Sequence, residues 1–167
     1  MGNDDTSQTK KPRKKRRPRK APTEMVSYIV GIKDWNWEFS FGVNPMKDRE
    51  DPYLDFRHLE LRGSLLRPST IKVDEVEVTF LPDRRLNESE RKRHEPQSVG
   101  SFNIHHGRLQ FLAPMPADVL PCILPMMIAG RIRYVELNGD WPRYRQGRIR
   151  SYRLERDYNP DDLPSDE

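Results

Sequence analysis

The most apolar window of this 167-residue chain covers residues 115–129, and the chain around it is 34% charged. Because burial of apolar surface is the dominant favourable term in folding, a core must be built on this window. The window is too short for a membrane span, which needs about 20 apolar residues, and it contains Asp118 and several prolines. We therefore expect a soluble chain whose core is organised around this segment.

The same window predicts one short helix. Pro116 and Asp118 provide a helix-start pattern, and Gly130 is placed to end the helix. Because an interior proline removes a backbone hydrogen bond, we expect two short helical turns or a kink near Pro121. The apolar stripe of this helix consists of Leu120, Ile123, Leu124, Met127 and Ile128.

Strands are predicted over most of residues 25–154, where β-branched and aromatic residues alternate with polar ones. A chain of this length fits one core. We expect a mainly β, single-domain protein of about eight strands, either an antiparallel sandwich or a partly open barrel, with one short and kinked helix. Two hairpins are expected late in the chain, one turning at His105–His106–Gly107 and one at residues 138–140.

Aromatic residues occupy every second position early in the domain. Trp35, Trp37, Phe39 and Phe41 alternate with polar residues, so they share one face of a strand. Such a face can stack nucleic-acid bases or line the inside of a β-sandwich. Four consecutive aromatics on one side favour the inner face of the sandwich.

Arginines are concentrated in the last predicted hairpin. Residues 131–153 contain seven arginines and two acids, a net charge of +5, with tyrosines between them. If the two strands pair, Arg131 and Arg133 oppose Arg148 and Arg150, and like charges in opposed positions destabilise a strand pair. The offsetting anion is either nucleic-acid phosphate, with tyrosines stacking on bases, or the acidic end of this chain folded back. The third alternative is that these are solvated edge-strand arginines that discourage aggregation.

Both ends of the chain are charged and lack apolar residues to bury. Residues 1–24 have a net charge of +6 and are predicted to be a disordered basic tail, and residues 155–167 have a net charge of −5 and are predicted to be a disordered acidic tail. The basic tail can serve as a nucleic-acid arm or as a polybasic localisation signal. It can also serve as a membrane anchor, because Met1–Gly2 opens a bare N-myristoylation pattern.

Patterns typical of catalysis or of cofactor binding were not found in the sequence. The single cysteine, Cys122, excludes an intramolecular disulfide and is expected in the core. The adjacent His105 and His106 point to opposite faces if they lie on a strand, so they would not share a metal ion. We expect a non-enzymatic protein with no cofactor and no metal, in the cytoplasm or, in a eukaryote, the nucleus.

The sequence thus favours a nucleic-acid-associated protein that binds phosphates through a basic arm and an Arg/Tyr-rich hairpin. Its partner is non-specific nucleic acid or an acidic protein, and the alternatives are an interaction or scaffold subunit with charged tails and a membrane-peripheral protein. The predicted nucleic-acid-binding residues are Lys10, Lys11, Arg13, Lys14, Lys15, Arg16, Arg17, Arg19, Lys20, Arg131, Arg133, Tyr144, Arg145, Arg148, Arg150 and Tyr152.

Overall fold

A computed structural model describes residues 25–45, 52–88 and 96–159. These residues form seven strands, one α-helix and two 3₁₀ helices of three residues each, Arg84–Leu86 and Ala117–Val119. The strands are β1 (Met25–Val43), β2 (Tyr53–Arg67), β3 (Glu75–Asp83), β4 (Gly100–His105), β5 (Arg108–Pro116), β6 (Tyr134–Asp140) and β7 (Gln146–Glu155), and the helix is α1 (Leu120–Ile128).

The strands close into a barrel in the order β1-β2-β3-β5-β4-β7-β6, with β6 paired back to β1. All neighbours are antiparallel except β3 and β5, which are parallel. The prediction of a mainly β protein with one short helix is confirmed. In the described part of the chain the strands number seven rather than about eight, and the barrel is closed because the β6–β7 hairpin fills the space between β4 and β1.

Alternating side chains of every strand fill the barrel. On β3, for example, Val76, Val78 and Phe80 are fully buried while the residues between them are half-buried on the outer face. Tyr28 occupies the middle of the core, with its ring centroid 5.1 Å from that of Phe102 and 5.3 Å from that of Phe111. The barrel interior is therefore a packed core rather than a cavity.

Helix α1 follows β5 and buries Leu120 and Met127 in the same core. Pro121 lies in the first turn, where no intrahelical bond is needed, so the helix accommodates it. Gly130 ends the helix with a left-handed φ of 61° and donates a hydrogen bond to the Met127 carbonyl, as predicted for a C′ glycine. The expectation for Cys122 was wrong: its side chain is exposed, because it lies on the outer side of the helix.

The two ends of the barrel differ, and we name them by what they carry. At the turn end, β1 begins at Met25 beside the end of β6, and the β4–β5 and β6–β7 turns lie nearby. At the helix end, β5 leads into α1, and β1 and β2 continue beyond their other neighbours.

Candidate nucleic-acid interface

The β6–β7 turn carries exposed basic and aromatic side chains of the arginine-rich hairpin. Arg143 and Gln146 exchange backbone hydrogen bonds of 2.8 and 3.1 Å, which leaves Tyr144 and Arg145 as a two-residue loop. Both loop residues have a left-handed backbone, with φ values of 53° and 64°, as a type I′ turn requires. We call residues 143–145 the Arg-Tyr-Arg turn.

This turn presents an aromatic face between two cations. The Tyr144 side chain is 90% exposed, and the Arg143 guanidinium carbon lies 6.0 Å from the centre of its ring. The turn is also held in place by the neighbouring strand, since the Ile104 amide donates a 2.8 Å hydrogen bond to the Arg145 carbonyl. An exposed ring flanked by arginines can stack on a base while the cations contact phosphates.

The position of this turn corrects the predicted one. Residues 138–140 lie within or at the end of β6, not in the turn. Gly139 is needed for another reason: a Cβ there would overlap the Arg148 carbonyl of the paired strand. The glycine therefore marks a close backbone approach, which the sequence pattern alone does not distinguish from a turn.

Next to this close approach, a β-bulge in β7 makes two of the predicted site residues, Arg148 and Tyr152, face opposite sides of the sheet. Asn138 pairs with Ser151 and Gly139 with Ile149, so Arg150 is the extra residue in β7. The bulge reverses the inward and outward positions that follow it. Consequently Arg148 faces out on one side of the bulge, whereas Tyr152 on the other side faces in.

Tyr152 is part of the core rather than of an exposed surface. Its ring centroid lies 4.9 Å from that of Phe80, and its hydroxyl donates a 3.1 Å hydrogen bond to the Pro114 carbonyl. Burial raises the pKa of this hydroxyl. We therefore leave Tyr152 out of the proposed surface, because a ring packed in this way is not free to stack on a base.

The expected opposition of like charges was wrong. Arg133 precedes β6 and its amide donates to the Glu155 carbonyl, so Arg131 and Arg133 lie at the helix end of the hairpin. Arg148 and Arg150 lie near the turn end, across from residues 138–139. The predicted register was wrong because the turn was misplaced. The expected repulsion between Arg131 or Arg133 and Arg148 or Arg150, which an outside anion would have offset, is therefore absent.

Three of the seven arginines are paired with carboxylates. Arg133 contacts Asp157 at 3.4 Å, which for this one residue agrees with the alternative in which the acidic end folds back. The Arg150 guanidinium contacts Asp140 at 3.3 Å and donates a 2.6 Å hydrogen bond to the Gln97 carbonyl, while Arg153 lies 4.0 Å from Glu136.

The other four arginines form no ion pair within the described ranges: Arg131, Arg143, Arg145 and Arg148. Arg148 instead donates a 3.0 Å hydrogen bond to Gln97 Oε1. Three of the four lie toward the turn end. The positive charge that this part of the chain leaves uncompensated is thus concentrated around the Arg-Tyr-Arg turn.

The basic segment joins the barrel at this same end. Met25, the first described residue, pairs with Asp140, which lies three residues before the Arg-Tyr-Arg turn. The nine Lys and Arg residues predicted to bind phosphate within residues 10–20 lie outside the described residues, as do residues 160–167 of the acidic end. The basic segment is nevertheless attached to the barrel at Met25.

A shallow groove of about 360 Å³ extends from this end over the outer face of β3, β5 and β4. Its lining includes the amide side chains of Asn103, Gln110 and Gln146, with the carboxylate of Glu77 on its far side. Amides can donate and accept hydrogen bonds without adding charge. The groove therefore offers polar contacts next to the cationic turn.

The burial of the alternating aromatic residues of β1 was predicted only in part from the sequence. Trp35 and Trp37 pack against the core, as expected for an inner face. Phe39 and Phe41, however, are 55% and 63% exposed, because β1 continues beyond the barrel at this point. Alternation shows that residues share a face but not where that face leaves the core, so the sequence signal missed this exposed surface.

In the described part of the chain, no group of three His, Cys, Asp or Glu side chains is placed to hold a metal ion. None of the helices described has the length and apolar content to cross a bilayer.

The Arg-Tyr-Arg turn is thus the candidate interface that the geometry supports best. No protein-family model matches the chain, and no curated protein or solved structure is significantly similar to it.

Proposed function

We propose that this protein binds nucleic acid without sequence specificity at the turn end of the barrel. The observation that carries the proposal is the pairing of Met25 with Asp140, which attaches the basic segment beside the Arg-Tyr-Arg turn. A tail with nine cations supplies phosphate contacts, and the ordered turn adds an aromatic ring and two arginines. Two regions that are distant in the sequence thereby act on one strand of nucleic acid.

The chemistry of the turn favours single strands or unpaired bases. Tyr144 projects from a two-residue loop into solvent, where a ring can stack on a base that is not already stacked in a duplex. The polar groove beside the turn carries Glu77 and amides rather than a row of cations. We therefore assign most of the phosphate affinity to the tail and to Arg143 and Arg145.

Salt-dependent binding tests this proposal. We expect the logarithm of the binding constant for a fluorescent single strand to fall with the logarithm of salt concentration by about 0.7 per phosphate contacted. Replacing Arg143 or Arg145 by alanine should reduce that slope by about 0.7. Tyr144→Ala should weaken binding by about 1 to 3 kcal/mol at every salt concentration and leave the slope unchanged, because stacking releases no counterions.

Arg131→Ala is the matched control, since this exposed arginine lies at the opposite end of the hairpin and also forms no ion pair with the described residues. It should leave both the slope and the affinity as in the wild type. Replacing the nine basic residues of the tail by glutamine separates the two contributions, because the turn remains. A slope near zero for the unmodified protein, or no binding at low salt, would overturn the proposal.

A further inference from the structure

Part of the outer edge of β1 is covered by none of the strands in the described residues. Its pairing with β6 extends only to Gly31, and the last contact with that side is the 2.8 Å hydrogen bond from the Ile32 amide to the Arg133 carbonyl. Pairing with β2 on the other edge continues to Val43. From Lys33 to Val43, where β1 ends, the outer edge therefore has no partner strand among the described residues. A long open edge of this kind is a template for pairing with another strand.

Beyond the barrel, β1 and β2 form a two-stranded ribbon of residues 38–43 and 53–58. Its exposed side chains are apolar and aromatic: Phe39, Phe41, Val43, Tyr53, Leu54 and Phe56. The charged residues of the ribbon are Glu38, Asp55 and Arg57, and Arg57 is already paired with Asp55. A surface that is apolar and carries no free cation does not suit phosphate, so its occupant should be protein rather than nucleic acid.

The outer edge of β2 is a weaker candidate for the same role. Its uncovered part, residues 53–58, is half as long and contains both Asp55 and Arg57. The side chain of Arg84, which follows β3, also reaches Asp55 at 3.8 Å, so part of this edge is occupied by the protein itself. The edge of β1 is longer, and its last five residues, 39–43, are uncharged.

We propose that the open edge of β1 pairs antiparallel with the same edge of a second copy of this chain, with the two-fold axis at Phe39. In that register Trp37 opposes Phe41 of the other copy and Trp35 opposes Val43, so apolar residues meet on one face. Glu38 is the one charged residue in the paired stretch, residues 35–43, and it opposes the uncharged Ser40.

Charge and the length of the paired stretch together favour this register. With the axis at Phe39, nine residues of β1, 35–43, pair with the same residues of the other copy, as an isologous contact requires. Moving the axis by one residue to Glu38 places two carboxylates opposite each other, and moving it to Ser40 leaves only residues 37–43 paired. An axis that passes between two residues, such as Glu38 and Phe39, makes each aromatic residue oppose a polar one. The aromatic face then lies against the polar face, because successive side chains point to opposite faces.

The position on the axis provides a sharp experiment, because a residue there opposes itself. We expect sedimentation velocity of the full chain, at high salt and free of nucleic acid, to show a dimer across about a hundredfold range of concentration. Phe39→Lys and Phe39→Glu should each raise the dissociation constant by roughly tenfold or more, a loss of about 1.4 kcal/mol. An equimolar mixture of the two variants should recover the dimer, since lysine then faces glutamate.

Phe56→Lys and Phe56→Glu are the matched controls, because Phe56 is similarly exposed but lies on β2. Each should leave the dimer intact, and thermal unfolding should show that all four variants remain folded. A wild-type chain that stays monomeric over the whole range would overturn the proposal. So would a dimer that survives Phe39→Lys, or a mixture that does not recover.

Discussion

Gly63 lies where β1 and β2 come closest, beside an irregularity in their register between Ile32 and Asp34. A Cβ at this position would overlap the Gly31 carbonyl oxygen, which belongs to the backbone and cannot turn away. We expect Gly63→Ala to lower the free energy of unfolding by about 1 to 3 kcal/mol, the usual effect of overpacking. Urea unfolding followed by circular dichroism measures the change.

Gly42 in the same strand pair is the control for that substitution. A Cβ at Gly42 meets nothing within 4 Å, and its φ is not left-handed. Gly42→Ala should therefore leave stability unchanged or raise it by up to about 1 kcal/mol, because alanine restricts the unfolded chain. Equal losses of unfolding free energy in the two variants would show that overlap with the Gly31 carbonyl is not the cause of the destabilisation at Gly63.

The buried hydroxyl of Tyr28 should make the stability of the fold decrease as pH rises in the alkaline range. Its hydroxyl donates a 2.7 Å hydrogen bond to the Asp140 carbonyl, and burial, followed by the charge of Asp140, raises its pKa above the ordinary value. Because the folded state holds this proton more tightly, the stabilisation is complete below the unfolded pKa of about 10 and is lost as pH rises above it. The loss approaches about 1.4 kcal/mol per pH unit for one such group.

Tyr28→Phe separates the two roles of the hydroxyl. We expect it to cost about 1 kcal/mol at neutral pH through the lost hydrogen bond, and to make the alkaline fall in stability shallower. Urea unfolding measured at several values from about pH 8 to about pH 11 gives both numbers. If the variant falls as steeply as the wild type, another group is responsible for the slope.

In the β6–β7 hairpin, the two central residues of the Arg-Tyr-Arg turn are of types that are disfavoured in a type I′ turn. Tyr144 and Arg145 both have a left-handed backbone, which costs roughly 1 to 2 kcal/mol for a residue with a Cβ. Asn-Gly is the preferred pair for a type I′ turn. We expect the double substitution Tyr144→Asn and Arg145→Gly to raise the free energy of unfolding by about 1 to 2 kcal/mol and to weaken binding of a single strand.

This double variant tests whether function maintains the unfavourable turn. Thermal unfolding and fluorescence anisotropy on the same protein give both effects. Higher stability with unchanged binding would mean that the turn does not contact nucleic acid. Lower stability would mean that Tyr144 and Arg145 make local contacts that outweigh their backbone conformation.

Elements with strict alternation could be predicted from the sequence, whereas their connections and distortions could not. The β4–β5 hairpin and the C′ glycine of α1 were predicted nearly in place, because local turn chemistry determines them. The β6–β7 turn was misplaced because Gly139 serves a tertiary contact. The bulge at Arg150, which sends Tyr152 into the core, depends on two strands together and has no signal in either alone.

The same limit applies to the candidate surfaces. Composition identified both basic regions, but only the pairing of Met25 with Asp140 shows that β1, which follows the first region in the sequence, begins at the turn end. The exposure of Phe39 and Phe41 depends on where β6 and β3 stop, which is a property of the neighbours. Sequence therefore identifies which chemistry is present, and topology determines where it is available.

In the whole molecule, the barrel separates its two proposed surfaces. The Arg-Tyr-Arg turn and the attachment of the basic segment lie at the turn end, and the apolar ribbon extends from the helix end. Helix α1, which follows β5, buries Leu120 and Met127 in the core at that second end. A dimer joined through the ribbons would consequently direct its two cationic ends away from each other and present two separate sites.

This arrangement predicts that association and nucleic-acid binding are separable. Phe39→Lys should bind a short oligonucleotide, which fits one protomer, with the affinity and salt slope of the wild type, because the substitution is remote from the turn end. On a long single strand the wild-type dimer gains from bivalent attachment, by a factor of about 100 or more where the strand spans both sites. Phe39→Lys should lose that gain.

Anisotropy with short and long strands at one salt concentration measures both affinities. If the variant also binds the short strand less tightly than Phe56→Lys does, the ribbon itself contacts nucleic acid, and the assignment of separate roles to the two ends is wrong.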